Sequence, residues 1–323
     1  MLPYIDLGFS QISSYGLCVL CGLIAFTVTV VFTLEKREGA EKKLTNRMLI
    51  LSAFGFVVLV LSALIMNSVF HSIEKQAIRI GGITWLGGVI FAFPFMYWLI
   101  DKLLPQIKGE ALEYFNLLIP GIVLGHGFGR VGCFLGGCCY GMQVDTFLSV
   151  SFPAGSPAAL AHPDITGASL PVLPTQLFEA AFEFALFAVM FIGHKKLKKW
   201  NFEIYAFTYG IFRFALEFLR GDDRGATGLL FTPSQIMSVI LILGGVMSVL
   251  YKKGLLFRKY RAKMQGYKAE REKYGFNFTG NITQILRELH ALLQEQVITE
   301  EEYASVKEQL LQKLAERGDC IKR

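Results

Sequence analysis

A few ionisable side chains stand inside stretches of sequence that are otherwise almost free of charge. Arg130 lies late in an apolar run that begins near 114, and Arg213 lies late in one that begins near 203. Glu217 and Arg220 follow Arg213 closely, while Glu179 and Glu183 fall in the first turns of a run that begins near 175. A guanidinium presents a planar fork of donors that matches phosphate oxygens two at a time, and it stays charged when partly buried. Two to four such groups gathered at one level attract an anion. His126 stands one helical turn before Arg130 and is a candidate base; the alternative is that it hydrogen-bonds backbone in a Gly-rich turn. The carboxylates read either as partners of the chemistry or as structural counter-ions, because a buried charge needs a partner in any case.

The elements that must hold these groups are membrane spans. Of 323 residues, 53% are hydrophobic, 28 are Phe, and the mean hydropathy is +0.45, above the roughly 45–50% apolar share of soluble domains. Charged residues make up 18% and crowd into short blocks between long apolar runs. Those runs reach about 20 residues, the length a helix needs to cross about 30 Å of hydrocarbon. Seven qualify, at roughly 15–34, 48–70, 82–104, 114–135, 175–193, 203–219 and 233–251. The first is not preceded by Lys or Arg and is too long for a signal-peptide core, so it reads as a retained span. The expected fold is all-α, a polytopic helix bundle of about seven spans.

Lys and Arg in the loops set the orientation. The loop 35–47 holds five, 105–113 one and 194–202 four, against two at 71–81, none at 136–174 and two at 220–232. This asymmetry puts the N-terminus outside and the basic C-terminal segment inside. With that orientation Tyr15, Arg130, Glu179, Glu183, Arg213, Glu217 and Arg220 all fall in the outer half of the membrane, although they come from separate pieces of sequence. Ionisable groups at membrane depth cost a few kcal/mol each on insertion scales, and the set as a whole is a functional-site candidate. The nearest anion at that level is a phospholipid headgroup. The net charge of +6 does not indicate nucleic acid, because the basic residues flank the apolar runs.

Around Arg130 the chain reads GHGFGRVGCFLGGCCYG, with seven glycines between 125 and 141. Glycine permits close backbone approach to a ligand, and equally close helix packing; composition alone does not separate the two. Cys133, Cys138 and Cys139 cluster here, with a disulfide or an acyl acceptor both open, but their spacing to His126 matches no standard zinc pattern. The loop 136–174 carries five prolines, and its length predicts a segment folded against the mouth of the bundle. Domain boundaries are expected at 251 and 280: a membrane domain over 1–251, a basic juxtamembrane linker over 252–280, and a helical hairpin over 281–315. In the hairpin, Thr299 and Glu302 form a capping-box signature. The hairpin resembles the SHOCT module, which implies assembly or interaction.

Residues 10–250 resemble the prolipoprotein diacylglyceryl transferase family. The signature GRxGNFxxGxxxG is met by Gly129, Arg130, Gly132, Phe134, Gly137 and Gly141, and PxQLxE by Pro174, Gln176, Leu177 and Glu179. YGxFRxxxEFxR is met by Tyr209, Gly210, Phe212, Arg213, Glu217, Phe218 and Arg220, and an early aromatic-glycine pair by Tyr15 and Gly16. The family transfers a diacylglyceryl group from phosphatidylglycerol to the thiol of a lipobox cysteine in a prolipoprotein signal peptide, releasing glycerol phosphate. The resemblance implies that Arg130 and Arg213 hold and neutralise the phosphate while Tyr209 and Glu217 orient them. It assigns substrate binding to Tyr15, Gly129, Gly132, Gly137, Gly141, Gln176, Glu179 and Arg220, requires no metal or cofactor, and places the protein in the bacterial cytoplasmic (inner) membrane, active at the outer leaflet.

Some positions depart from the pattern. The family's HGG in the third span is Leu86, Gly87 and Gly88; the signature Asn is Cys133; the acidic residue beyond it is Cys138; and the His before PxQLxE is Leu173. The missing third-span histidine is what brings His126 forward as a base. The alternative function is a non-catalytic membrane protein on the same scaffold, binding an anionic lipid or a partner, or a related transferase with another acceptor.

Overall fold

A computed structural model of the chain describes residues 4–6, 11–75, 84–104, 107–222, 230–258 and 260–266, with 290, 300, 304 and 308. The chain opens on a two-stranded antiparallel hairpin, β1 (Tyr4–Asp6) and β2 (Gln11–Ser13), with Ile5 opposite Ile12. Thereafter it is helical: α1 (Ser14–Val31), α2 (Lys42–Lys75), α3 (Trp85–Leu103), α4 (Ala111–Gly136), α5 (Pro157–Ala161), α6 (Thr175–Ile192), α7 (His194–Leu197), α8 (Asn201–Leu216) and α9 (Pro233–Lys252). Among the described residues, six helices are long and apolar enough to cross a membrane: α1 with the π-turn that follows it, α2, α3, α4, α6 and α9. The run expected as a seventh span is α8, 16 residues long, continued by a 3-10 turn over Glu217–Leu219.

Burial is inverted relative to a soluble protein. Val28, Phe54, Ile65, Ile211 and Leu243 are more than half exposed, whereas Asn116, Gln176, Glu179 and Glu183 are fully buried. Apolar side chains facing outward and polar ones facing inward is the arrangement hydrocarbon solvent imposes. Small residues bring the helices together, as in membrane bundles generally. A side chain on Gly22 of α1 would lie 2.9 Å from the Gly125 carbonyl of α4, and one on Gly210 of α8 would lie 2.6 Å from Ile242 of α9.

The helix starts use local capping. Ser13 accepts from the Gly16 amide to begin α1, and Thr232 with Gln235 forms a complete capping box at α9, with Pro233 at the first position. The long loop between α4 and α6 is folded, with its own small core of Tyr140, Phe152, Ala158 and Val172. Paired backbone links Gln143 and Val150 to Val172, and Gly141 to Arg220.

The chain divides into two units, residues 1–96 with 113–253, and 97–112 with 254–323. In the second, the Tyr97 and Tyr260 hydroxyls lie 3.2 Å apart. The hairpin expected over 281–315 lies outside the described residues, apart from the four single positions above.

Candidate active site

Three helices of the first unit each turn an i,i+4 ladder of polar side chains inward, and the ladders meet. A spacing of four puts side chains above one another on a helix face. On α4 the ladder is His126 and Arg130; on α6 it is Glu179 and Glu183, with Gln176 one turn earlier. On α8 and its 3-10 extension it is Tyr205, Tyr209, Arg213 and Glu217.

Glu179 is the hub. Its carboxylate takes Arg130 Nε at 3.1 Å and the Tyr209 hydroxyl at 2.7 Å, and Arg213 Nε stands 4.0 Å away. Arg213 in turn reaches Glu217 through Nη2 at 2.6 Å and donates to the Ser234 hydroxyl at 2.9 Å. Glu217 also accepts from Thr232, the residue that caps α9. The start of α9 thus fixes the end of the α8 ladder. Arg213 Nη1 is shielded from solvent and has no hydrogen-bond partner among the described residues. Among the described residues the contacts on Arg130 fall on Nε and not on the two terminal nitrogens of its fork.

His126 is locked on both sides. Its Nε2 accepts from Arg130 Nε at 3.1 Å, and its Nδ1 lies 2.7 Å from Glu183 Oε1. An arginine is always protonated, so the Nε2 lone pair is occupied and the ring proton resides on Nδ1, donated to Glu183. Trp85 stacks on the imidazole at 4.1 Å and 8°, and Tyr209 meets it edge-on at 5.4 Å. Neither nitrogen is left to accept a proton from a thiol, which runs against the expectation of a base.

The glycines divide by task. Gly137 has φ +69°, a left-handed conformation that ends α4 and that side chains rarely adopt. A side chain on Gly141 would come within 2.8 Å of Leu173, Leu219 and Thr175 at once. Gly132 packs under Tyr15, whose ring and Cα lie 3.1 and 3.3 Å from the position a Cβ would take. Among the described residues nothing beyond its own stretch of helix lies within 4 Å of the position a Cβ on Gly129 would take, so that face of α4 is open there.

Arg220 is paired elsewhere than with the Glu179 hub. Its fork grips Asp222 with two 2.7 Å bonds, while its backbone pairs with Gly141. Arg220 Nη1 is buried without a partner among the described residues. Burial pushes the Asp222 carboxyl up and Arg220 pulls it partly back, leaving it at about 6. Gln176 donates to the Cys138 carbonyl at 2.6 Å and Thr175 to that of Cys139 at 2.9 Å, so α6 holds the Gly-rich loop in place.

Arg130, Arg213 and Tyr209 thus meet at Glu179, and Glu217 joins them through Arg213. Sequence reasoning missed Trp85, Tyr205, Thr232, Ser234 and Asp222. A Trp at the head of a span reads as an interfacial anchor, and the TPSQ pattern at 232–235 announces a helix start without saying what else the cap holds.

Comparison with known proteins gives this geometry a lineage. The model of the family described as prolipoprotein diacylglyceryl transferase matches residues 3–251. The chain is 40% identical over 142 residues to phosphatidylglycerol–prolipoprotein diacylglyceryl transferase 2 of Clostridium perfringens, a match covering 43% of this chain and 52% of that protein. It is 30% identical to the phosphatidylglycerol–prolipoprotein diacylglyceryl transferase of Clostridium tetani over 73% of this chain and 91% of the relative. For the Dehalococcoides mccartyi protein of the same name the identity is 31%, over 77% and 92%. With a matched region that spans every helix of the polar ladders, the chain belongs to the prolipoprotein diacylglyceryl transferase family.

Proposed function

We propose that this chain transfers the diacylglyceryl group of phosphatidylglycerol to the thiol of a prolipoprotein lipobox cysteine, at the outer leaflet of the bacterial cytoplasmic membrane. The observation that carries the reading is the meeting of Arg130 and Arg213 on Glu179, inside the bundle, with guanidinium nitrogens left over. The family match and the names of the relatives support it, and the loop charges support the outward-facing site.

In the reaction a thiolate sulfur attacks the glycerol carbon that bears the phosphate ester. The C–S bond forms as the C–O bond breaks, and its electron pair leaves with glycerol phosphate. A phosphodiester of charge −1 thereby becomes a monoester approaching −2. Stabilising that growing charge is the task for fixed cations in a water-poor site. Arg213 Nη1 and the terminal nitrogens of Arg130 are the donors for it. Glu179, held by Tyr209, keeps the two guanidinium groups close together despite their repulsion. Glu217, anchored by Thr232, sets the angle of Arg213. His126 is a positioning residue: Trp85 and Glu183 hold it, and it holds Arg130. Tyr15, Gly129, Gly132, Gly137, Gly141, Gln176 and Arg220 border the lipid's place or shape the loop beside it.

The test is transfer of label from phosphatidylglycerol to a lipobox peptide with one cysteine, using purified protein. The reading requires label on the peptide, lost by about a hundredfold or more in Arg130→Ala, with the variant still accumulating in the membrane. No transfer from an intact preparation that binds the lipid would overturn it in favour of a binding protein on the same scaffold.

A further inference from the structure

The reaction above uses no thiol of this chain, yet three are gathered beside it. The Sγ atoms of Cys133, Cys138 and Cys139 all lie within 4.8 Å of one another, and none is in a disulfide. Cys133 is on the last turn of α4; the left-handed Gly137 folds the chain back so that Cys138 and Cys139 face it. Cys139 is itself left-handed, at φ +63°. That conformation disfavours a side chain, and a glycine would hold it without strain. The neighbouring helix braces both residues by their carbonyls, through Gln176 and Thr175. The sulfur arrangement is thus held from several sides.

We propose that Cys133, Cys138 and Cys139 form a three-thiolate site for a soft divalent cation such as zinc. Zinc–sulfur bonds of about 2.3 Å around a tetrahedral ion place sulfurs about 3.8 Å apart, so a contraction of about 1 Å or less closes the triangle. Three thiolates around a divalent ion carry a net charge of −1. The guanidinium charges of Arg220 and Arg130 bear on Cys139 and offset it. Three protein ligands leave the fourth coordination position to solvent. Thiolate ligands select soft ions over magnesium or calcium.

The experiment is a titration of the reduced full-length protein with Co2+ alone, read by the thiolate-to-cobalt charge-transfer band, followed by displacement with Zn2+. One equivalent bound, displaced by zinc and weakened more than about tenfold in Cys139→Ser or Cys138→Ser, is the expected result. Absence of stoichiometric binding, or binding that survives both substitutions, overturns the proposal. The wild-type protein supplies a reading independent of any variant's folding. Bound Zn2+ must slow alkylation of all three cysteines together, as mapped by mass spectrometry; unchanged alkylation of the three overturns the site as well.

Discussion

Both ends of α6 carry ion-pair clusters, and the two are built differently. Near its start, Arg130 and Glu179 pair with side-chain exposures of 9% and 0%, and Arg213 and Glu217 with 3% each. Just beyond its end, Glu38 takes Lys198 at 2.6 Å and His194 at 2.7 Å, with Lys198 33% and Glu38 19% exposed. The first cluster uses arginine, interlocks four helices and leaves donors over. The second uses lysine and histidine on short connecting segments, with Arg37 laid over the Phe191 ring. A buried network is costly to disturb because a charge left behind has no water to turn to, whereas an exposed pair is resolvated. On the proposed reading the buried arginine cluster serves chemistry, while the more exposed lysine–histidine cluster ties connecting segments together.

The sharpest way to break this comparison is to remove the hub. Glu179→Ala leaves the buried Arg130 without a carboxylate and Arg213 with Glu217 alone, and should cost about 3–5 kcal/mol of stability, together with loss of transfer; thermal unfolding in detergent and the peptide assay measure both. If stability and transfer both hold, Glu179 is no hub. Next in size is Tyr209→Phe, which deletes one hydrogen bond to a carboxylate and should cost about 1.5–3 kcal/mol in the transition state. The loss should fall on kcat more than on KM, and a KM effect alone would reassign Tyr209 to substrate binding.

A smaller effect concerns pH. Asp222 has a folded pKa of about 6, above its ordinary 3.8, so it gains a proton as pH falls through about 6 and releases the fork of Arg220. Headgroup affinity should then rise by roughly threefold to tenfold, about 1 kcal/mol, and Asp222→Asn should abolish the step. The folded state binds the extra proton between these two values, so this group adds stability as pH falls across that window.

The smallest effect belongs to the far cluster. Lys198→Ala should cost at most about 1 kcal/mol, given its exposure, and leave transfer unchanged. Burial raises the Glu38 carboxyl, but Lys198 and His194 outweigh it and hold it below the ordinary range. Its stabilisation is present above the ordinary value of 4.5 and is lost as pH falls through the lowered one, which an acid titration of wild type against Glu38→Gln would resolve.

The members of the ladders were legible because charges inside apolar runs are expensive: Arg130, Arg213, Glu179 and Glu217 stand out against such runs in the sequence. The partners were not legible. His126 reads as a base from its place beside Arg130, and only the meeting of α4 with α6, 57 residues on, shows both nitrogens occupied. Arg220 reads as another phosphate ligand, but its fork is taken by a residue two positions away in a loop without periodicity. The cysteines match no zinc spacing, since a left-handed turn at Gly137 rather than a regular helix repeat brings them together. The run at 203–219 reads as a full span, while the helix proper ends at Leu216 and tightens to present Glu217 to the cap of α9.

The most direct test of the central claim is a double-mutant cycle on the rate of diacylglyceryl transfer, with Arg130→Ala, Arg213→Ala and the pair. If both guanidinium groups stabilise one departing phosphate, the double loss departs from the sum of the single losses by about 0.5–3 kcal/mol. Losses that simply add would mean that the two arginines act at separate places, contradicting a shared phosphate site.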